Sequence, residues 1–225
     1  MSEQRVAVKV WDVPVRVVHW ALVGLILFSW WSGKEGGMTM TYHMWSGYAI
    51  LTLVIFRVAW GFVGSTHARF RDFIYAPRAL VDYARTLTGR RAAVYAGHNP
   101  VGGLSALLML LSLLVQTGTG LFSNDDILTE GPLYGYVTKA TSDWLTTVHN
   151  YNFNVLLTLA GIHIAAILYY WIYKRENLVA AMFTGRKRLP PELAPAETRM
   201  ESLGKALVLL AISAGIVFAL VRKWA

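Results

Sequence analysis

Five stretches of the chain are apolar with few interruptions: Val13–Trp31, Met44–Val63, Val101–Phe122, Leu145–Ile172 and Leu207–Val221. A helix rises about 1.5 Å per residue and the hydrocarbon core of a bilayer is about 30 Å thick, so each run is near spanning length, the last being the shortest. The segment Gly64–Gly97 is too polar to cross. Within it Pro77 opens and Gly89 closes a short amphipathic helix carrying Leu80, Tyr83 and Leu87, expected to lie on the membrane surface. Ser123–Asp143, with Gly131, Pro132 and Gly135, reads as loop or short helix. Leu189–Pro195, with Pro190, Pro191 and Pro195, reads as a linker. The pattern therefore predicts an all-α integral membrane protein: a four-helix transmembrane bundle in residues 1–188, a cytoplasmic linker over 189–203 and an additional C-terminal transmembrane helix in 204–225. The first run lacks a small-residue cleavage site and is expected to be retained as a helix.

A hydrophobic content of 55% and a mean hydropathy of +0.42 exclude an ordinary soluble domain. The net charge of +8 raises the question of nucleic acid, and its distribution answers it. Arg69, Arg71, Arg78, Arg85, Arg90 and Arg91 lie between spans two and three; Lys174, Arg175, Arg186, Lys187, Arg188 and Arg199 follow span four. The other two connections hold only Lys34 and Lys139 as bases, beside Glu35, Asp125, Asp126, Glu130 and Asp143. By the positive-inside rule the N-terminus and both basic segments are cytoplasmic, and the acidic loop is outside. The basic excess records topology, not nucleic-acid binding. The nine tryptophans fall at or near predicted span ends, the places of an interfacial aromatic belt. With no cysteine, the chain cannot attach haem covalently, ligate an iron–sulfur cluster through thiolates or form disulfides.

Four of the six histidines carry the chemical signal. His149 and His163 stand fourteen residues apart on one apolar run. That is roughly 21 Å along a helix axis with the side chains about 40° apart around it, so they share a face near opposite sides of the bilayer. Span one enters from the cytoplasm and span two returns from outside, which places His19 at the inner level and His43 at the outer. Depth then pairs His19 with His163 and His43 with His149. Zinc sites need three or four converging ligands, usually with carboxylate or thiolate among them. The predicted spans contain no Asp or Glu, and two ligands per site is the count that a porphyrin iron requires. The four histidines are thus expected to hold two haems b, low-spin and suited to electron transfer.

Ionisable groups at membrane depth are costly and are functional candidates by default. Arg57 follows His43 by fourteen residues and reaches the inner level of the same face. It fits either a haem propionate or a side chain snorkelling to the cytoplasmic surface. Arg16, about one turn before His19, is a second propionate candidate. Gly47, with Gly24 and Gly161, falls near ligand histidines, where a small residue admits a flat macrocycle or simply packs helices. Asn150, Asn152 and Asn154 flank His149, as polar contacts or as a wet helix end. His98, at the inner start of span three, is placed to hydrogen-bond a propionate or a quinone head group. His67 reads as a surface residue of the basic loop.

These residues sit in stretches that resemble the prokaryotic cytochrome b561 family, which includes the cytochrome b subunits of nickel–iron hydrogenases. The similarity covers roughly residues 8–187. It is carried by Trp11-Asp12-Val13-Pro14-Val15-Arg16-Val17-Val18-His19-Trp20, His43-Met44-Trp45-Ser46-Gly47, Arg57-Val58-Ala59-Trp60-Gly61-Phe62-Val63-Gly64, Ala68-Arg69-Phe70, Gly97-His98-Asn99-Pro100 and the span with His149 and His163. The resemblance implies a multi-pass protein of the bacterial inner membrane, holding two haems b on those four histidines. It implies electron exchange between the quinone/quinol pool and a redox protein outside the cytoplasm, such as a periplasmic c-type cytochrome. A stand-alone superoxide:quinone oxidoreductase and a haem-bearing anchor of a hydrogenase-like complex are the alternatives. The fifth span departs from the four-helix pattern and reads as a docking helix or the seam of a homodimer.

Overall fold

The structure, a computed structural model, describes residues 5–89, 94–195 and 197–222. Arg90, Arg91, Lys223 and Trp224 lie outside the described residues. In chain order the elements are β1 (Val6–Lys9), α1 (Val13–Glu35), α2 (Met40–Val63), the single turn α3 (Phe70–Phe73), α4 (Pro77–Arg85), α5 (Pro100–Gly120), α6 (Lys139–Ile172), α7 (Leu178–Thr184), β2 (Arg186–Leu189) and α8 (Leu203–Val221). The five long helices are each long and apolar enough to span a membrane. The protein is an all-α membrane protein, as the apolar pattern predicts. The short helix expected after span two also forms, with Pro77 in its first turn, but it closes at its C-cap Thr86, earlier than Gly89.

Helix ends differ from the apolar runs for local reasons. Helix α1 runs on to Glu35, where Gly36 and Gly37 take the positive φ values, 65° and 55°, that reverse the chain. Helix α2 begins at Met40, so His43 lies inside its first turn. Helix α6 begins six residues before its apolar run, at Lys139; Ser142 on that added turn is fully buried and donates to the Phe122 carbonyl (2.6 Å). An apolar-pattern reading misses such a turn because its anchoring residue is polar.

The chain forms two compact units, and each long helix gives one end to each. The first comprises Met1–Val17, Ala59–Leu108 and Leu159–Ala206. Its core includes Val10, Trp11, Trp60, Phe73 and Leu189. Buried Asp12 organises it: Oδ1 accepts from the Val15 N–H (2.8 Å), capping α1, and Oδ2 accepts from the Trp60 indole N–H (2.9 Å). Trp11 and Trp60, 7% and 0% exposed, are thus core residues and not part of a lipid-facing belt, because the protein itself satisfies the indole of Trp60. Trp30, Trp31, Trp45, Trp144 and Trp171 are exposed, as a belt requires. Strands β1 and β2 pair antiparallel, Val6 opposite Leu189 and Lys9 opposite Arg186. This small sheet has no sequence forewarning, since each strand is only four residues and β2 is nearly all basic. Only its last residue, Leu189, falls in the segment read as a linker. Further along, residues 199–201 are tied down: the Thr66 N–H donates to the Arg199 carbonyl (3.0 Å), and Glu201 meets Arg69, Arg199 and Lys205.

The second unit comprises Val18–Val58, Met109–Thr158 and Leu207–Ala225. Here α8 is built into the fold: Val217 packs with Leu51 of α2 and Leu121, joined by Tyr48, Ile55 and Leu220.

Candidate functional site

The second unit contains a cavity of about 450 Å³, within the usual range for a small-molecule or cofactor site. Both His43 and His149 line it. Their ring centroids are 6.1 Å apart, with the rings nearly perpendicular at 78°. Two axial imidazoles on one iron, with metal–nitrogen bonds of about 2 Å, place their ring centres roughly 6 Å apart. The spacing therefore fits a haem iron between them.

Each imidazole is set by a carbonyl from a neighbouring helix. His43 Nδ1 donates to the Ser29 carbonyl of α1 (2.8 Å), and His149 Nδ1 to the Gln116 carbonyl of α5 (2.9 Å). A carbonyl only accepts, so both rings carry their proton on Nδ1 and keep the Nε2 lone pair for a metal. A ligand whose second nitrogen is anchored in this way is the common arrangement at metal-binding histidines. Among the described residues no three His, Cys, Asp or Glu side chains converge, so the donor set suits a metal that brings its own equatorial ligands.

Two glycines that sequence reasoning missed make room for the rings. A Cβ on Gly33 would stand 2.9 Å from His43 Nδ1, and one on Gly120 would stand 3.0 Å from His149 Cε1. Neither lies in a recognisable motif, and each faces its histidine across two helices. Gly47, singled out from sequence, lines the same cavity one turn after His43, and a Cβ there would meet nothing within 4 Å. It leaves the cavity open. Gly24 and Gly161 also face open space, but both are exposed and neither lines the cavity. Of the three asparagines, Asn150 lines the cavity. Asn152 ties α6 to α5, donating to the Ser112 carbonyl (2.9 Å) and Gln116 Oε1 (2.7 Å), and so steadies the residue whose carbonyl orients His149. Asn154 is exposed and donates to the Asn150 carbonyl (3.5 Å). Lys34, Asn124 and Thr146 also line the cavity and give it polar groups near the acidic connection.

The other candidates are placed on their own helices. Helix α6 is unbroken from Lys139 to Ile172, so His163 stands about 21 Å along it from His149. Helix α2 is likewise unbroken between His43 and Arg57, which is half-buried. His19 is half-buried on α1, edge-on to Trp20 at 4.9 Å. One turn earlier Arg16 packs over Gly185, where a Cβ would stand 2.9 Å from its Nη1. Its Nε is buried without a hydrogen-bond acceptor among the described residues. A buried guanidinium N–H lacking an acceptor fits an anion such as a propionate. His98 is half-buried between Trp11 (4.7 Å) and Phe73 (4.9 Å). His67, read from sequence as a surface residue, is half-buried instead; its ring packs against Gly97, where a Cβ would stand 3.2 Å from Nδ1. Burial pushes its pKa down, Asp72 opposing and Lys187 adding to that shift.

Paired, carbonyl-anchored imidazoles in a membrane-spanning all-α protein suit a membrane cytochrome. The family profile of prokaryotic cytochrome b561 matches residues 10–185, and the chain belongs to that family. It is a membrane cytochrome b of electron transfer, and the family implies b-type haem. Among relatives, a probable Ni/Fe-hydrogenase B-type cytochrome subunit of Rhizobium leguminosarum bv. viciae is 26% identical over 217 residues, covering 82% of this chain and 90% of the relative. Its namesake in Rhodobacter capsulatus is 25% identical over 222 residues, covering 82% of each. No solved structure matches the chain significantly.

Proposed function

We propose that the protein carries two haems b and relays electrons across the bacterial inner membrane between the quinone/quinol pool and a periplasmic redox protein such as a c-type cytochrome. The observation that carries this reading is the His43–His149 pair, 6.1 Å between ring centres with both Nδ1–H groups held by carbonyls. His19 and His163 hold the second haem, at the depth that fourteen residues of unbroken α6 set. Held by these histidines, each haem would supply a one-electron carrier.

The chain's own residues do the rest. Ser29 and Gln116 fix ring orientation and tautomer, and their pull on the Nδ1 proton makes each imidazole a stronger donor, which favours the oxidised iron. Gly33, Gly47 and Gly120 keep space for rings and macrocycle. Arg16 and Arg57 neutralise propionates at the inner level. His98, held between Trp11 and Phe73, hydrogen-bonds the quinone head group on the cytoplasmic side. The N-terminus is cytoplasmic, so the acidic connection with Asp125, Asp126 and Glu130 faces the periplasmic partner.

A second reading has one specific support: the relatives are named as hydrogenase cytochrome subunits. In that reading the periplasmic partner is a nickel–iron hydrogenase and the protein is its membrane anchor. Haem and protein quantified on one purified sample, with a reduced-minus-oxidised visible spectrum, test the haem assignment. The expected result is two low-spin haems b per chain, with His43→Ala and His163→Ala each losing one. A full complement retained in both variants overturns the ligand assignment. Co-purification of tagged protein with a hydrogenase from native membranes would favour the anchor reading.

A further inference from the structure

The loop from Asn124 to Glu130 is tightly built, yet it ends in two bare aliphatic side chains. Asp125 Oδ1 accepts from the backbone N–H groups of Ile127 (2.9 Å), Leu128 (2.9 Å) and Thr129 (2.8 Å). The Asp125 N–H donates in turn to the Thr129 carbonyl (3.1 Å), and Asn124 and Glu130 pair as an antiparallel bridge. The bonds from Thr129 and Ile127 hold the Asp125 carboxyl well below the usual carboxylate range, so it stays ionised and keeps its backbone partners. At the base, Asn124 Nδ2 donates to Ser142 Oγ (2.6 Å) and Asp143 Oδ1 (3.0 Å), while Lys139 meets Asp126 at 2.6 Å.

This bracing presents Ile127 and Leu128 at 82% and 92% exposure. Exposed aliphatics on a slack loop are ordinary; on a loop held by this many bonds they are a presented surface. The same loop, through Asn124, Asp125 and Thr129, lines the cavity that holds His43 and His149. The tip therefore stands on the wall of the candidate haem site.

We propose that the Ile127–Leu128 tip is a docking surface for a soluble electron-transfer protein presenting an apolar patch rimmed by lysines or arginines. This rests on the electron-relay reading. The two aliphatics supply the desolvated anchor, and exposed Glu130 meets the basic rim, Asp126 being held by Lys139. Charge complementarity of this kind steers encounter, while the apolar centre sets how long the complex lasts. Insertion into lipid headgroups is the competing fate. It would carry Asp125, Asp126 and Glu130 of the same short loop into the headgroup layer, at the cost of desolvating their carboxylates.

The test uses the full-length protein, reduced chemically and desalted, mixed in stopped flow with a ferric, lysine-rimmed soluble c-type cytochrome. One electron passes per encounter, a ferrous haem of the membrane protein becoming ferric as the cytochrome becomes ferrous. The Ile127→Asn/Leu128→Asn double variant alters two side chains that are 82% and 92% exposed, so fold and haem content are expected to stay unchanged. Its half-saturating cytochrome concentration should rise about five- to tenfold, while its oxidation by ferricyanide stays at the wild-type rate. An unchanged half-saturation overturns the proposal. So does a rise seen in lipid nanodiscs and absent in detergent, which would assign the tip to lipid. Reduction of the wild-type haems by a quinol analogue is read separately: its failure would count against the relay and leave the docking result standing.

Discussion

His43 and His149 each give one ring proton to a backbone carbonyl, and that decides what the other nitrogen can do. The design depends on missing side chains as much as on present ones. A methyl on Gly33 would stand 2.9 Å from His43 Nδ1, where real Cβ contacts essentially never occur, so the ring must tilt or α1 must move. Gly33→Ala should therefore cost about 1–3 kcal/mol of local packing and lower haem occupancy at this level, with the other haem retained. Haem-to-protein ratio and a redox titration measure it; full occupancy with unchanged potentials would show that the glycine is incidental. At this scale the candidate histidines and Gly47 stood out in the sequence, because ionisable and small residues are conspicuous on apolar runs, and the structure brings His43, His149 and Gly47 to one cavity. Gly33 and Gly120 did not stand out, since their meaning lies in a histidine on another helix. His67 was misplaced outward, because a polar loop conceals which of its residues fold back beneath it.

The five apolar runs each became a long helix, since an apolar segment of this length must satisfy its backbone internally once it leaves water. Their ends were less legible: α6 begins early because Ser142 is buried, and α8 is integrated through Val217 in place of standing apart. That integration carries its own expectation. Val217→Ala removes two methyl groups from a contact with Leu51 and Leu121, in a cluster that includes cavity-lining Tyr48. The protein should lose about 1–2 kcal/mol of stability, read as a lower midpoint for thermal loss of the haem absorption band. No change in that midpoint would make α8 a peripheral helix. The two-stranded sheet β1–β2 belongs to the part no pattern reading finds, since its pairing joins residues about 180 positions apart.

For the molecule as a whole, pH acts on the first unit through His67. Burial lowers its pKa below 6.5, so the folded state binds its proton less readily than the unfolded chain does. Its contribution to stability is therefore fully present above pH 6.5 and lost as pH falls through the depressed folded value. Thermal stability should decline on that acid side, and His67→Gln should flatten the decline while leaving the alkaline side unaltered. A variant with the wild-type profile would assign the acid sensitivity elsewhere.

Span number, the two histidine levels, the absence of covalent haem attachment and the separation of basic from acidic connections all follow from the order of residues alone. Each depends on local composition or on spacing along one helix, where 1.5 Å per residue converts sequence into depth. What only the tertiary structure decided is which groups meet across helices. The Ser29 and Gln116 carbonyls, the glycines behind each imidazole, the buried Asp12–Trp60 bond and the braced tip of Ile127 and Leu128 are of this kind. Backbone carbonyls and hydrogens have no letter in a sequence, so contacts made through them become visible only when the helices are packed.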